Sequence, residues 1–163
     1  MQDMNSMIEA LSLLPHPEGG FYKETYRSNI TIQSTHHAGE KSAYTAIYYL
    51  LGGKDFSSWH RIQSDETWFF HTGCDVSIYF FDDQKVLRIE ELGMASMNLQ
   101  FTIPANTWFA AKPMDETSFS LVSCAVGPGF EFNDFEIGNR NALLAEFGGS
   151  TQNIQAINAL TRS

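Results

Sequence analysis

Apolar residues recur three or four positions apart across residues 4–14, MNSMIEALSLL, which is the spacing of one helical face. Asn5 or Ser6 is expected to cap the first turn, because a short polar side chain accepts a hydrogen bond from a free backbone amide there. Pro15 and Pro17 are expected to end the helix, since proline lacks an N–H and restricts the residue before it. The pattern therefore predicts an N-terminal helix.

After the helix the pattern changes to short runs of alternating, β-branched or aromatic residues that are separated by turn residues. Short strands at nearly regular intervals are typical of a β-sandwich or barrel. Residues 28–41, which contain His36 and His37, are predicted to form a loop with both histidines exposed. The predicted strands are 21–27, 43–51, 56–62, 66–71, 76–81, 85–92, 98–103, 108–111 and 118–126.

The last part of the chain returns to helical spacing. Residues 127–129, Gly-Pro-Gly, break the strand pattern, and apolar positions recur at helical intervals in 139–147 and 153–160. The sequence contains no repeat, linker or low-complexity tract. We therefore predict one mostly β domain, residues 1–163, with helices at both ends.

The charge of the chain limits its partners. The formal net charge is −9 and the isoelectric point is about 4.8. Such a surface repels phosphate backbones and anionic lipids, so nucleic-acid and membrane partners are not expected. The N-terminal segment lacks a basic region, and no run approaches the roughly 18 apolar residues of a membrane span. Cys74 and Cys124 form no CxxC pair, which favours reduced thiols and a cytoplasmic location.

The strongest chemical signal lies in residues 59–73, WHRIQSDETWFFHTG. A hairpin turning at residues 63–65 would place His60 opposite Glu66 on the neighbouring strand. If both side chains point inward, a carboxyl and an imidazole share an apolar cavity, and burial and mutual attraction shift their pKa values. This arrangement suits acid–base chemistry, and it equally suits a structural hydrogen bond inside a barrel.

The spacing in this segment resembles the first motif of the cupin superfamily, G-x5-H-x-H-x3-4-E-x6-G. His60, Glu66 and Gly73 stand at three of its positions, whereas Ile62 replaces the second histidine. The resemblance implies a single jelly-roll β-barrel with short terminal helices.

The second cupin motif, G-x5-P-x-G-x2-H-x3-N, is similar to residues 104–109, PANTWF. Asn106 replaces the glycine, which asparagine can do in a left-handed turn. Phe109 replaces the third histidine and cannot ligate a metal. Cupin metals are usually held by three histidines and one glutamate, so we expect neither a metal nor another cofactor here.

Longer sequence segments resemble one cupin-like family of unknown function over about residues 8–147. This resemblance implies the architecture of nucleotide-sugar 3,5-epimerases and other small-molecule cupins, and it implies a homodimer. The matching words are HPEGGFYKETYRS at 16–28, SAYTAIYYLL at 42–51, SSWHRIQSDETWFFHTG at 57–73, IPANTWFAA at 103–111 and CAVGPGFEFNDFEI at 124–137.

We therefore expect a small-molecule ligand in the barrel. The first hypothesis is a metal-independent isomerase or epimerase acting on a sugar-like or carbonyl compound. In it, His60 is the base, and Glu66 either orients the ring or serves as a second acid–base group. The alternative is a non-catalytic cupin that binds or senses a metabolite. A metal-dependent oxygenase is less favoured, because the ligand set is incomplete.

Other residues are candidates for binding the substrate. Arg27 is a candidate anchor for a phosphate or carboxylate, and Tyr48, Tyr44 or Tyr22 for a proton donor. Glu18 and Glu24 are expected to face solvent. Large aromatic side chains would line the cavity or, alternatively, only fill the core; they are Trp68, Phe70, Trp108 and Phe109, with Phe21 near the mouth.

Overall fold

A computed structural model describes residues 3–33 and 39–162. The helices are α1 Met4–Leu11, α2 Arg140–Phe147 and α3 Thr151–Ala159, with a short 3₁₀ helix at Phe132–Asp134. The strands are β1 Leu14–Pro15, β2 Phe21–Arg27, β3 Thr31–Gln33, β4 Glu40–Ser42, β5 Thr45–Gly52, β6 Ser57–Ile62, β7 Asp65–Gly73, β8 Val76–Phe81, β9 Leu87–Leu92, β10 Gln100–Ile103, β11 Phe109–Pro113, β12 Phe119–Gly127 and β13 Phe135–Ile137.

The strands form a jelly-roll sandwich of two antiparallel sheets. One sheet has the order β1-β2-β5-β12-β7-β10 and the other the order β13-β6-β11-β8-β9, while β3 and β4 form a separate hairpin. The mostly β class and the helices at both ends, predicted from the sequence, are confirmed. His36 and His37, assigned to a loop from the sequence, lie outside the described residues.

The ends of α1 differ from the prediction. Asp3, rather than Asn5 or Ser6, caps the helix, and its side chain accepts a hydrogen bond from the Ser6 amide. The helix ends at Leu11 because Ser12 adopts a left-handed conformation, with φ of 54°. Pro15 belongs to β1, so the left-handed turn ends the helix before either proline is reached.

The predicted hairpin between β6 and β7 is wrong. These strands are consecutive in sequence but lie in opposite sheets, and β6 pairs with β11 and β13 whereas β7 pairs with β10 and β12. Residues 63–65 therefore carry the chain from one sheet to the other. His60 and Glu66 consequently approach the same space from facing sheets and are not cross-strand neighbours.

Alternation along the strands separates three apolar clusters. The central cluster fills the space between the sheets and includes Tyr49, Trp68 and Phe109. Trp59 and Trp108, on the outer side of the five-stranded sheet, are covered by α2 and α3. The outer side of the six-stranded sheet is covered by α1, which packs against the third cluster. One end of the space between the sheets remains free for a cavity.

The segment 16–20, His-Pro-Glu-Gly-Gly, is held tightly against β6. The Ser58 amide donates to the Glu18 carbonyl at 2.9 Å, and the Tyr49 hydroxyl donates to the Gly19 carbonyl at 2.7 Å. Gly19 has a φ of +115°, and an added Cβ would lie 2.1 Å from the Phe56 carbonyl oxygen. Only glycine allows so close an approach in this conformation. The segment thereby turns its side chains inward.

We predict that Gly19→Ala destabilises the protein by about 2–4 kcal/mol, because alanine combines an unfavourable left-handed conformation with a backbone clash. Urea unfolding followed by tryptophan fluorescence measures the loss. Gly149→Ala is the matched control, since an added Cβ there meets nothing within 4 Å. Equal unfolding midpoints for the two variants would contradict the proposed role of Gly19.

Candidate active site

The space between the sheets opens at one end into a cavity of about 130 Å³. It is walled by the segment 16–20, by β2, β5, β6, β7 and β12, and by residues 130–135. Polar and ionisable groups lie beside apolar ones along this wall. The lining residues are His16, Glu18, Tyr22, Glu24, Arg27, Thr45, Ile47, His60, Ile62, Glu66, Cys124, Val126, Phe130, Glu131, Phe132 and Phe135.

The deepest polar contact joins His60 to Glu18. His60 Nε2 lies 3.2 Å from Glu18 Oε2, and both side chains are almost completely buried. The other Glu18 oxygen, Oε1, accepts a hydrogen bond of 2.9 Å from the Ser57 hydroxyl. Glu18 was expected to face solvent, and this expectation is wrong because the 16–20 turn directs its side chain inward. It is only 6% exposed.

The tautomer of His60 follows from its other contact. Nδ1 lies 2.7 Å from the Ser58 carbonyl oxygen. A carbonyl oxygen only accepts, so Nδ1 carries a hydrogen and Nε2 is directed at Glu18. Nε2 and the Glu18 carboxylate thus face each other at the cavity wall.

His16 approaches the same carboxylate from the opposite side. Its Nδ1 accepts a hydrogen bond from the Glu18 amide at 3.3 Å and lies 3.7 Å from Glu18 Oε2. Burial lowers the pKa of His16; the nearby Glu18 charge raises it and His60 lowers it further. The accepting Nδ1 and the lowered pKa both describe a neutral imidazole, which leaves the negative charge of Glu18 to His60.

Glu66 occupies a different environment within the same cavity. It is 8% exposed, and burial together with the negative charge of Glu18 raises its pKa to about 8. The Cys124 thiol and the Trp68 indole partly offset this shift. The indole N–H of Trp68 makes no hydrogen bond of good geometry within the described residues, although it lies close enough to lower the pKa of Glu66. Glu66 is thus protonated at neutral pH.

Cys124 lies beside Glu66 on the cavity wall. Burial and the charges of Glu66 and Glu18 raise its pKa well above the usual range, so the thiol stays protonated. Cys74 and Cys124 are both free thiols, as the sequence predicted.

Arg27 reaches the cavity mouth, but acidic groups already occupy it. Its guanidinium binds Glu24 through two hydrogen bonds of 3.0 and 2.8 Å, Glu131 through one of 2.7 Å, and the Phe130 carbonyl at 3.0 Å. The hydrogen bonds to Glu24 are the main reason that the pKa of Arg27 is raised. Glu24, which was expected to face solvent, lines the cavity and is partly exposed.

The predicted aromatic lining residues lie elsewhere. Trp68 and Phe109 fill the central core, and Phe70 packs against it. Phe21 and Tyr48 lie on the outer side of the six-stranded sheet, beneath α1. Trp108 lies beneath the C-terminal helices, with the Arg61 guanidinium 4.7 Å from its ring centre. Tyr44 is exposed, whereas Tyr22 lines the cavity.

Phe109 nevertheless shapes the site from below. Its ring centre is 4.1 Å from that of His60, the residue opposite it on the neighbouring strand. The preceding turn has Asn106 at φ of 62°, so asparagine does take the left-handed position that the cupin motif gives to glycine. Phe109 thus packs against the imidazole from the core side.

These residues do not fit the metal centre of the cupin pattern. Ile62 lines the cavity and Phe109 packs on His60, yet neither has an atom that can ligate a metal. His16 and His60 approach one Glu18 oxygen. Even so, residues 3–33 and 39–162 contain no group of three or more His, Cys, Asp or Glu with the geometry to hold a metal ion.

Sequence reasoning identified His60 and Glu66 but missed the pocket roles of His16 and Glu18. Strand alternation carries no information about these two, because they lie in a turn. The available signal was the word HPEGGFY, in which two glycines allow a turn to approach a neighbouring strand. The aromatic residues 130–135 were likewise missed, since they lie in irregular structure and a short strand.

Several solved structures are similar to this chain over most of its length. A hypothetical protein from Leishmania major has 31% identity and a TM-score of 0.90, with 99% of this chain and all of that chain covered. A protein from Shewanella oneidensis has 34% identity and a TM-score of 0.89, with 99% of both chains covered. A cupin-2 domain from Rhodospirillum rubrum shares the fold at 11% identity and a TM-score of 0.63, covering 92% of this chain and 89% of its own.

The two-sheet jelly roll and its relatives define a protein of the cupin superfamily. The family model described as "Cupin superfamily (DUF985)" matches residues 5–138, and the chain belongs to that family. This confirms the resemblance found in the sequence. No curated protein matches the chain. Among the described residues, none of the helices has the length and apolar character needed to cross a membrane.

We predict that Glu66 makes stability decrease as the pH rises from about 4.5 to about 8, with no further loss at higher pH. The reference pKa of a glutamate is 4.5, and that of Glu66 in the folded protein is about 8. Between these two values the folded protein therefore binds more protons than the unfolded protein. The contribution of Glu66 is complete below the unfolded pKa and is lost as the pH rises through the folded pKa. The expected slope is about −1.4 kcal/mol per pH unit.

Urea unfolding at several pH values measures this slope, with Glu66→Gln as the test variant. Glutamine keeps the size and removes the titration, so its slope should be flatter. Glu116→Gln, at an exposed carboxylate outside the cavity, is the control and should keep the original slope. Parallel slopes for the protein and Glu66→Gln would refute the assignment.

Proposed function

We propose that the chain binds a small sugar-like or carbonyl compound in this cavity and interconverts its isomers or epimers without a metal. The observation that supports this most is that two buried carboxyl groups in different environments line one cavity with His60. Glu18 contacts His60 at 3.2 Å, whereas buried Glu66 has a pKa of about 8. Environments that separate two titratable groups in this way assign one as base and the other as acid.

In the proposed step, the His60–Glu18 pair removes a proton from the carbon next to the carbonyl. The electrons of that C–H bond form a carbon–carbon double bond, and Glu66 gives its proton to the carbonyl oxygen. For the isomer, the pair returns its proton to the former carbonyl carbon, and the hydroxyl on the first carbon gives its proton to Glu66 as it becomes the new carbonyl. For the epimer, a water on the opposite face gives the first carbon a proton, Glu66 recovers its proton from the same oxygen, and the pair passes the abstracted proton to the resulting hydroxide. Atoms and electrons balance in both cases without an oxidant.

Three features support these roles. The Ser58 carbonyl fixes the His60 ring at 2.7 Å, and the Ser57 hydroxyl fixes Glu18 at 2.9 Å, so the base is oriented before a ligand arrives. The apolar wall excludes water and lowers the local dielectric, which strengthens the electrostatic interactions between the positioned groups and a ligand. The cavity of about 130 Å³ suits a compound of a few carbon atoms. It is smaller than the roughly 300 Å³ or more of pockets for larger ligands.

A second candidate is a non-catalytic protein that binds or senses a metabolite. The observation favouring it is the aromatic wall formed by Phe130, Phe132 and Phe135, which can hold a ligand without any chemistry. Measurement of turnover separates the two candidates.

We predict that the protein catalyses exchange of carbon-bound hydrogen of small hydroxy ketones, such as dihydroxyacetone, with deuterium in D₂O. His60→Gln and Glu66→Gln should each lower the exchange rate by about 100-fold or more, the usual contribution of a general acid or base. The rate should also decrease above about pH 8, where Glu66 loses its proton. Proton NMR follows the exchange.

His71→Gln is the matched control for this experiment. His71 lies on β7 and contacts the Ser123 hydroxyl at 2.8 Å, outside the cavity lining, so its loss should leave exchange unchanged. Ligand binding without exchange for a panel of hydroxy ketones and aldehydes would refute the isomerase and support the binding protein. An equal loss of exchange in His71→Gln would refute the assignment to His60.

We also propose that the chain acts as a single domain and as a homodimer in the cytoplasm. Support for a dimer comes from exposed apolar groups near one edge of the six-stranded sheet. Tyr26 and Tyr44 stack there with ring centres 5.1 Å apart, and Ile30 is exposed nearby in sequence.

Size-exclusion chromatography with light scattering at micromolar concentration is predicted to give twice the 18.3 kDa chain mass. Tyr26→Lys should shift the protein toward monomer, because it places a charge in the apolar contact. Lys54→Glu, at an exposed site elsewhere, is the control. A monomer of about 18 kDa for the unaltered protein would overturn the dimer.

A further inference from the structure

The outer part of the cavity is walled by aromatic rings set at steep angles. Phe130 and Phe132 are 5.0 Å apart at 81°, Phe130 and Phe135 are 6.0 Å apart at 67°, and Phe132 and Phe135 are 6.3 Å apart at 84°. The ring of Tyr22 belongs to the same lining. The three rings meet edge to face rather than stacking on one another, and all three line the cavity. Phe132 is 51% exposed and therefore marks the mouth.

The ionisable groups of the same cavity are predominantly acidic. Glu18, Glu24 and Glu131 line it together with protonated Glu66, whereas Arg27 is the one arginine or lysine among the described residues of the lining. Glu24 and Glu131 both bind Arg27, so the two carboxylates and the guanidinium together keep one negative charge. Glu131 lies between Phe130 and Phe132 in the sequence.

The contacts of Arg27 argue against an anionic ligand. A phosphate or carboxylate would have to displace two carboxylates and the Phe130 carbonyl from the guanidinium. It would also enter beside Glu18, whose negative charge already raises the pKa of Glu66. The sequence-based prediction that Arg27 anchors an anion is therefore not favoured by its contacts. Arg27 instead holds Glu24, Glu131 and residue 130 at the mouth.

We propose that the cavity takes a small organic cation, whose ammonium or methylated ammonium group lies against Phe130, Phe132 and Phe135 with Glu131 beside it. This inference rests on the proposed function, since it assigns the ligand class of the same cavity. It makes the substrate a small carbonyl compound that also carries an amine or ammonium group.

The physical basis is the attraction of a cation to aromatic faces and to nearby carboxylates. Cation–π attraction is strongest when the cation is desolvated, and cages of aromatic rings are a recurrent way to bind methylated ammonium groups. The net charge of −9 adds a long-range attraction for cations at low salt. A cavity of about 130 Å³ leaves room for a compact group of this kind.

The test compares three probes of nearly the same shape by isothermal titration calorimetry. Choline carries the positive charge, 3,3-dimethyl-1-butanol replaces its nitrogen by carbon and is neutral, and pivalate is an anion with the same branched head. Choline is expected to bind about tenfold or more tightly than the neutral alcohol, as cation–π attraction in a desolvated site predicts. Pivalate is expected to bind more weakly than the alcohol.

Two variants locate the bound cation. Phe132→Leu keeps an apolar side chain but removes a ring face, and Glu131→Gln removes one charge at nearly constant size. Both should reduce choline affinity by several-fold while leaving the neutral alcohol unchanged. Glu116→Gln removes an equal charge at an exposed site outside the cavity and should leave choline affinity unchanged. Circular dichroism of each variant verifies folding, and exposed Phe132 and Glu131 are positions where folding should tolerate the change.

The outcomes distinguish this inference from the proposed function. Equal binding of choline and the alcohol, preference for pivalate, or no detectable choline binding would each overturn the cation. An equal loss of choline affinity in Glu116→Gln and Glu131→Gln would also overturn it, because the effect would then be one of net charge. Deuterium exchange with uncharged hydroxy ketones tests the isomerase separately and can succeed when choline binding fails.

Discussion

The contact between Glu18 and His60 is the interaction on which the site depends. It joins a turn that precedes the first long strand to the middle of a strand in the opposite sheet. The contact is possible because Gly19 allows the backbone to pass close to the Phe56 carbonyl, and because the Ser58 amide binds the Glu18 carbonyl. A buried carboxylate requires such partners, since an isolated charge in an apolar interior is strongly unfavourable.

This carboxylate also determines the state of its neighbours. Its negative charge adds to burial in raising the pKa of Glu66. It also raises the pKa of His16, but burial has the larger effect and lowers it. One cavity therefore contains a His60–Glu18 contact and a protonated acid. The Phe109 ring packs on His60 where the cupin pattern has a metal-binding histidine, and Ile62 replaces another. The same fold thus offers acid–base groups in place of a metal cage.

The mouth of the cavity is built from different side chains than its interior. Arg27 binds two carboxylates and a carbonyl, so it organises the rim and its charge is balanced. Residues 130–135 place three aromatic rings around the opening. In the two proposals, the acidic rim with its aromatic rings binds the positive charge of the ligand, and the buried groups below it act on bonds next to a carbonyl. Binding and chemistry are therefore assigned to separate layers of one cavity.

Strand periodicity and turn residues predicted a mostly β sandwich or barrel, and the resemblance to the cupin motifs implied the jelly roll, so the fold was accessible before the structure. The sequence also identified His60 and Glu66, because motif spacing is a local property. Only the tertiary structure placed β6 and β7 in opposite sheets, so the predicted hairpin failed. Only it brought Glu18 inside and moved Trp108 and Tyr48 to the outer faces. The reason is physical: alternation shows which residues share a face, whereas packing between sheets decides which face borders the cavity.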